Sequence, residues 1–252
     1  MEADAHFVMG STHAVCQDYA LAGRTGTRWV ALVCDGCSSS PDTDFGARVL
    51  ARAFLAAIAD QASITGALDG ALPVARRIIT SLDLPAEALD ATLCGWVVEG
   101  DRAHGFIHGD GVLSVRTSAG IEIHQAAQPE NAPNYPSYRC DPDRARAHRR
   151  KYGIDTVVTV SGATPGNFVV QGDYCVSFPL AQIVGLAAFS DGAATVSDGT
   201  ETLRTDTVAD ALTRFPQANG SFLNRRLRRQ TRDWAKAGFA PTDDLAGAAL
   251  VL

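Results

Sequence analysis

The sequence has few of the features that mark secreted, fibrous or membrane-spanning chains. No apolar run approaches bilayer length, and the start, MEADAHFVMGS, has neither the basic segment nor the apolar core of a signal peptide. A cytoplasmic protein that does not bind membranes is expected. No Pro/Gly/Ser-rich linker, fixed-period repeat or low-complexity tract divides the 252 residues, so residues 1–252 read as a single domain. Lys and Arg together number 22 against 28 Asp and Glu, and the resulting formal charge of -6 argues against nucleic acid as a partner. Two basic clusters, 144–151 and 225–232, run against that balance locally. The six cysteines form no disulfide framework, since most sit in apolar stretches such as ALVCDG, ATLCGW and DYCVSF, where buried free thiols are expected. The one close pair, Cys34 and Cys37, has no second pair or nearby His to complete a zinc site.

What remains is an ordinary globular composition, 46% hydrophobic and 20% charged, enough to build a core. The run RWVALVC is β-rich, too short for a helix, and ends on Asp35-Gly36, which reads as a core strand. A polar loop follows, with Asp42, Thr43 and Asp44 as candidate caps of a helix carrying Phe45, Val49, Phe54 and Ile58. A second helix is predicted over 64–82, with Pro73 as a break near its first turns. From Ala91 the pattern becomes an antiparallel meander: ATLCGWVVEG, RAHGFIHGDG, VLSVRTSAG and IEIHQA. Residues 128–152, rich in Pro, Asn, Arg and Asp and without apolar periodicity, read as a long surface loop or flap. Strands resume at TVVTVSG and NFVVQGDYCVSF. The run QIVGLAAFS then ends on Asp191-Gly192, repeating the arrangement at Asp35. A helical region around 207–215, a basic helix around 222–237 presenting Phe222, Leu223, Leu227 and Trp234 inward, and a terminal strand LAGAALVL complete the chain.

A strand ending in Asp-Gly delivers a carboxylate to the rim of a sheet, beside a residue whose carbonyl can approach an ion closely. Any single instance is usually a turn. Here Asp35-Gly36, Asp110-Gly111 and Asp191-Gly192 follow apolar runs, and Asp243 precedes one. Oxygen donors without Cys or His pairs around them select Mg²⁺ or Mn²⁺, and suit two-metal hydrolysis.

The order of these motifs resembles the metal-dependent PPM, or type 2C, Ser/Thr protein phosphatases, especially compact bacterial members. The matching segments are CQDYAL, WVALVCDG, DATLCGWVV, FIHGDGVLSV, LAAFSDGAATV and TDDLAGAALVL, and they span nearly the whole chain. The resemblance implies an α+β fold: a four-layer αββα sandwich of two mainly antiparallel sheets packed face to face and flanked by helices. It makes Asp35 the carboxylate bridging two metals, Mg²⁺ or Mn²⁺, and gives Gly36 a carbonyl on the second ion. Asp191 and Asp243 hold the first ion, Asp18 binds directly or through water, and Asp110 with Asp191 holds a third, weaker ion. Hydrolysis of phospho-Ser/Thr by a metal-bridging water or hydroxide is then expected, on a phosphorylated protein partner with a cognate Ser/Thr kinase, by a chain read as a monomer. No covalent intermediate is required, in keeping with CDGCSSSPD, which lacks the arginine of a Cys-x5-Arg loop.

The sequence departs from the family pattern in two places. The phosphate-clamping arginine common five residues before the first motif's Asp is His13 here, which becomes the candidate for the substrate phosphate. The first Asp-Gly is followed by Cys37 and three serines, so no His acid stands there. The basic cluster at 144–151 falls in the variable flap, where it reads as a solvated loop or as an attractor of phosphopeptides. These departures keep a second reading open, a weak or inactive PPM-like module for binding or regulation.

Overall fold

The computed structural model describes residues 1–61 and 63–252. In its first half the chain runs through β1 (Glu2–Val8), β2 (Asp18–Thr25), β3 (Arg28–Asp35), α1 (Thr43–Ile58), α2 (Ile64–Ser81), β4 (Leu93–Glu99), β5 (Arg102–His108), β6 (Gly111–Thr117) and β7 (Gly120–Ala127). It continues through α3 (Pro142–Tyr152), β8 (Asp155–Ser161), β9 (Gly166–Gln171), β10 (Tyr174–Pro179) and β11 (Ile183–Phe189). The two-residue β12 (Val196–Ser197), α4 (Thr205–Leu212), α5 (Phe222–Lys236), the two-residue β13 (Ala240–Pro241) and β14 (Leu245–Val251) close it.

Two antiparallel sheets result, one of seven strands in the order β1-β14-β11-β6-β7-β8-β9 and one of five, β10-β5-β4-β3-β2. Their layering follows from the period of two along each strand. In β3, Ala31 and Val33 face the other sheet, while Val30, Leu32 and Cys34 face α1 and α2. In β14, Ala246, Ala248 and Leu250 face inward, and Leu245 and Ala249 pack under α4 and α5. The product is the expected helix–sheet–sheet–helix sandwich. Small inward residues let the sheets close together, and fully buried Trp96 of β4 bridges them, its Nε1 donating to the Ala187 carbonyl of β11 at 2.9 Å.

The expected meander is divided rather than continuous: β4 and β5 belong to the five-stranded sheet, β6 and β7 to the seven-stranded one. The chain crosses between sheets at Asp110, where Gly111 has φ 137°, a conformation a side chain resists. Residues 128–152 are also mostly helical rather than an open loop, with single 3₁₀ turns at Pro129–Asn131 and Pro136–Cys140 leading into α3. That helix buries no residue, so it carries no apolar period to read. It is held at its ends instead, by Asp141 accepting from the Asp143 and Arg144 amides and by Arg149, Arg150 and Lys151 in the last turn.

Pro73 does not break α2, which runs through it with the ring on the exposed side. Asp42 occupies the N-cap position of α1, but its side chain makes no cap bond. The six cysteines are free, yet only Cys34 and Cys94 are fully buried, and Cys175 of DYCVSF is exposed because its strand lies at a sheet edge. The inward face predicted for the basic helix is present, with Phe222, Leu223, Leu227 and Trp234 buried. Among the described residues no helix is long and apolar enough to cross a membrane.

Candidate metal centre

Antiparallel pairing sets the start of one strand beside the end of its neighbour, and this gathers the acidic residues. Asp18 opens β2 and pairs in register with Asp35, which closes β3. In the other sheet β11 lies between β14 and β6, so Asp191 just after β11 comes beside Asp243 just before β14 and Asp110 just before β6. All five carboxylates therefore reach one rim of the sandwich. Asp35, Gly36, Asp110, Asp191 and Asp243 line a single cavity of about 400 Å³. Asp18 lies beneath it, fully buried, and His13 does not line it.

The surrounding backbone is fitted closely to this rim. A side chain at Gly36 would place its Cβ 2.8 Å from the Thr43 carbonyl and 2.9 Å from that of Gln17. Gln17 in turn donates from Nε2 to the Thr43 hydroxyl at 2.7 Å, tying the first motif to the start of α1. Ser190 donates to Asp18 Oδ2 at 2.6 Å and accepts from the Ala246 amide at 2.9 Å.

Asp244, which the sequence pattern leaves in the shadow of Asp243, is the buried member of that pair. Its carboxylate accepts from the Gly10 amide at 2.8 Å and the Gln17 amide at 2.6 Å, so it joins both segments that flank the first motif to the last. Its place immediately before an apolar run, within TDDL, is the signal the sequence offers. His13 sits between the two acids, with Nε2 3.2 Å from Asp243 Oδ1 and Nδ1 3.1 Å from Asp244 Oδ2. The second contact is not aligned as a hydrogen bond, and Nδ1 is buried without a hydrogen-bond partner among the described residues.

The electrostatics of the cluster call for positive charge. Burial pushes Asp18 well above the usual carboxylate range, with the Asp244 and Asp191 charges adding to it against the Ser190 hydrogen bond. Burial also raises Asp35, reinforced by Asp18, Asp191 and Asp110. Asp110 is pushed up to about 8 by burial and by the Asp191 charge. Asp191 is raised chiefly by burial, opposed by its hydrogen bond with Asp35. Asp18 Oδ1 and Asp191 Oδ1 are buried with no hydrogen-bond partner among the described residues.

Among the described residues no three His, Cys, Asp or Glu side chains are already drawn in to metal-binding distance of one point. The donor chemistry nevertheless fits hard divalent ions: carboxylates and a glycine carbonyl, with two orphaned oxygens and mutual repulsion that a dication would relieve.

The family model described as protein phosphatase 2C matches residues 10–230. No curated protein matches significantly in sequence. Among solved structures, the serine/threonine phosphatase Stp1 from Staphylococcus aureus is 13% identical, with a TM-score of 0.58, covering 100% of this chain and 95% of its own. The S. agalactiae serine/threonine phosphatase is 13% identical at a TM-score of 0.59, with 100% and 99% covered. The phosphatase domain of SpoIIE, the cell fate determinant of Bacillus subtilis, solved with a fragment of its regulatory domain, is 12% identical at 0.58, with 100% and 63% covered. At such identities the structural likeness speaks for the fold alone. The family match runs from just before His13 into α5, taking in Asp18, Asp35, Asp110 and Asp191 and ending before Asp243 and β14, and by it the chain belongs to the protein phosphatase 2C family.

Proposed function

We propose that this chain is a metal-dependent phosphoprotein phosphatase that hydrolyses phospho-Ser/Thr on a partner protein, acting as one domain over residues 1–252 in the cytoplasm. One observation carries the reading: Asp35, Asp110, Asp191 and Asp243 face a common cavity, where burial raises the pKa of Asp35, Asp110 and Asp191 and the buried Oδ1 of Asp191 lacks a partner among the described residues. Asp35 and the Gly36 carbonyl, with Asp191, Asp243 and Asp18, would hold two Mg²⁺ or Mn²⁺ ions. Asp110 with Asp191 would hold a third. When bound, such ions lower the pKa of water and offset charge on phosphoryl oxygens.

The chain's own contribution is placement. Ser190 fixes one oxygen of Asp18 and leaves the other for a ligand. Asp244 anchors the segment around Gln17, and His13 bears on Asp243, the most exposed of the acids. His13 thus acts here as a positioning residue rather than as a phosphate ligand.

The test is Mn²⁺-dependent hydrolysis of p-nitrophenyl phosphate and of phosphopeptides. Asp35→Asn is expected to lower kcat at least about 100-fold while leaving the circular dichroism spectrum unchanged. A wild-type protein without metal-dependent turnover would sink this reading. It would favour the second, a PPM-like binding or regulatory module, to which the engagement of His13 by Asp243 and Asp244 lends support. Parallel assay of phosphorylated metabolites separates a protein substrate, with its cognate kinase, from a small one.

A further inference from the structure

The metal reading leaves another part of the same cavity's wall unused. This wall comes from the turn Pro136–Cys140 and from α3, where Arg144, His148 and Tyr152 follow at intervals of four and share one helix face. The His148 ring packs between those of Tyr138 and Tyr152, with centroids 5.1 Å from each. Its Nε2 lies 3.1 Å from the Ala132 carbonyl, so that nitrogen carries the proton. Burial holds the His148 pKa down against this hydrogen bond, and the ring is neutral at pH 7. Arg144 is then the one cationic side chain among the described residues lining the cavity.

We infer that Arg144 binds the phosphoryl oxygens of the substrate, from α3 rather than from the N-terminal segment. The inference rests on the phosphatase reading. A phosphomonoester dianion met by cations on the acidic wall still presents an oxygen to the other side, and a guanidinium fork is shaped for it. His13 cannot supply that charge, since its two nitrogens face Asp243 and Asp244 outside the cavity lining.

Arg144 is also oriented in advance. Its Nη2 donates to Asp90 Oδ2 at 2.5 Å, and its guanidinium lies 5.0 Å from the centre of the Tyr138 ring. Asp90 is itself buried and held, accepting from Ser137 on Oδ1 at 2.8 Å and from Ser40 on Oδ2 at 3.1 Å. One edge of the fork is fixed in this way. Nε and Nη1 have no protein acceptor among the described residues, and a carboxylate on one nitrogen orients a five-donor group without saturating it.

The competing role is that of a tether, with Arg144 serving only to hold α3 onto Asp90. Both roles are tested by comparing wild type, Arg144→Gln, Arg144→Lys and Arg146→Gln with Mn²⁺ present. The readouts are KM and kcat for a phosphopeptide, inhibition by inorganic phosphate, and the thermal midpoint. Arg146, whose only partner among the described residues is Asp143 on the exposed side of α3, serves as control. Phosphate binding by Arg144 predicts that Arg144→Gln raises both KM and the inhibition constant of phosphate roughly 10-fold or more, with a smaller change in kcat. Arg144→Lys should recover the thermal midpoint but only part of the phosphate affinity, because an ammonium keeps the charge and loses the fork. The control should match wild type.

If both Arg144 variants keep KM and phosphate inhibition within about twofold of wild type, the inference is overturned and the phosphatase reading stands, whatever happens to the midpoint. Should Arg144→Gln fail to fold, the phosphate affinity of Arg144→Lys decides in the same way. A wild type without metal-dependent turnover removes the phosphatase reading and this inference together.

Discussion

Asp244 shows how a side chain that never faces the cavity can govern it. Two backbone amides, from Gly10 and Gln17, converge on its buried carboxylate, and neither has another acceptor among the described residues. Asp244→Ala strands both donors, which costs about 2–5 kcal/mol in total. Urea denaturation is expected to show this loss. The variant should also bind Mn²⁺ more weakly than wild type by calorimetry, because the Gln17 segment that supports Gly36 and Asp18 is released. A binding isotherm equal to that of wild type would mean that Asp244 serves folding only. The individual acids at the rim were legible in the sequence because each stands next to an apolar run. The part played by Asp244, and by Arg144 within its basic cluster, was not, since it arises from contacts between segments more than 50 residues apart along the chain.

At the scale of elements, the strands and helices with one buried face could be read directly. α1, α2 and α5 show helical spacing of apolar residues, and β3, β4 and β11 are short continuous apolar runs bounded by Gly or Asp. α3 gave no such signal because PDRARAHRRKY buries nothing, and β1 gave none because its residues are only partly covered. The split of the meander was hidden too, since a β-turn and a crossing between sheets can both be written with Asp and Gly. The sequence places a break at Pro73, but α2 is carried past it by Ala67, Leu68, Ala71, Leu72, Ala75 and Ile79 packed against the core. Tertiary burial outweighs the missing hydrogen bond there. Pro73→Ala restores a donor on the exposed side, and is expected to stabilise the protein by about 1–3 kcal/mol in thermal or urea unfolding, less what the freer unfolded chain takes back.

For the whole molecule, the acidic rim couples stability to pH and to divalent ions. In protein stripped of ions by chelation, Asp18, Asp35, Asp110 and Asp191 have folded pKa values above their unfolded ones. The folded state then holds more protons than the unfolded chain between the ordinary carboxylate range and about 8, the value for Asp110. Stability falls as pH rises through that window. The chelated protein is therefore expected to melt at lower temperature at pH 8 than at pH 6, by on the order of 1–3 kcal/mol of stability. Mn²⁺ should raise the midpoint at both values and more at pH 8, where it competes with fewer protons. Calorimetric scans at the two pH values check this. A chelated protein whose midpoint does not change with pH would contradict the raised pKa values of the rim carboxylates.

The bond from Trp96 to Ala187 spans the two sheets at the centre of the sandwich, and it gives the protein an internal optical reporter. An indole that is fully buried and donates to a carbonyl of the opposing sheet senses whether those sheets remain in contact. Separation of the layers admits water to the ring and moves its emission to longer wavelength, whereas loosening of the acidic rim alone leaves it untouched. Trp29→Phe and Trp234→Phe would isolate its signal, because these are the other two tryptophans in the chain. Fluorescence could then distinguish loss of the metal-binding edge from loss of the sandwich that supports it.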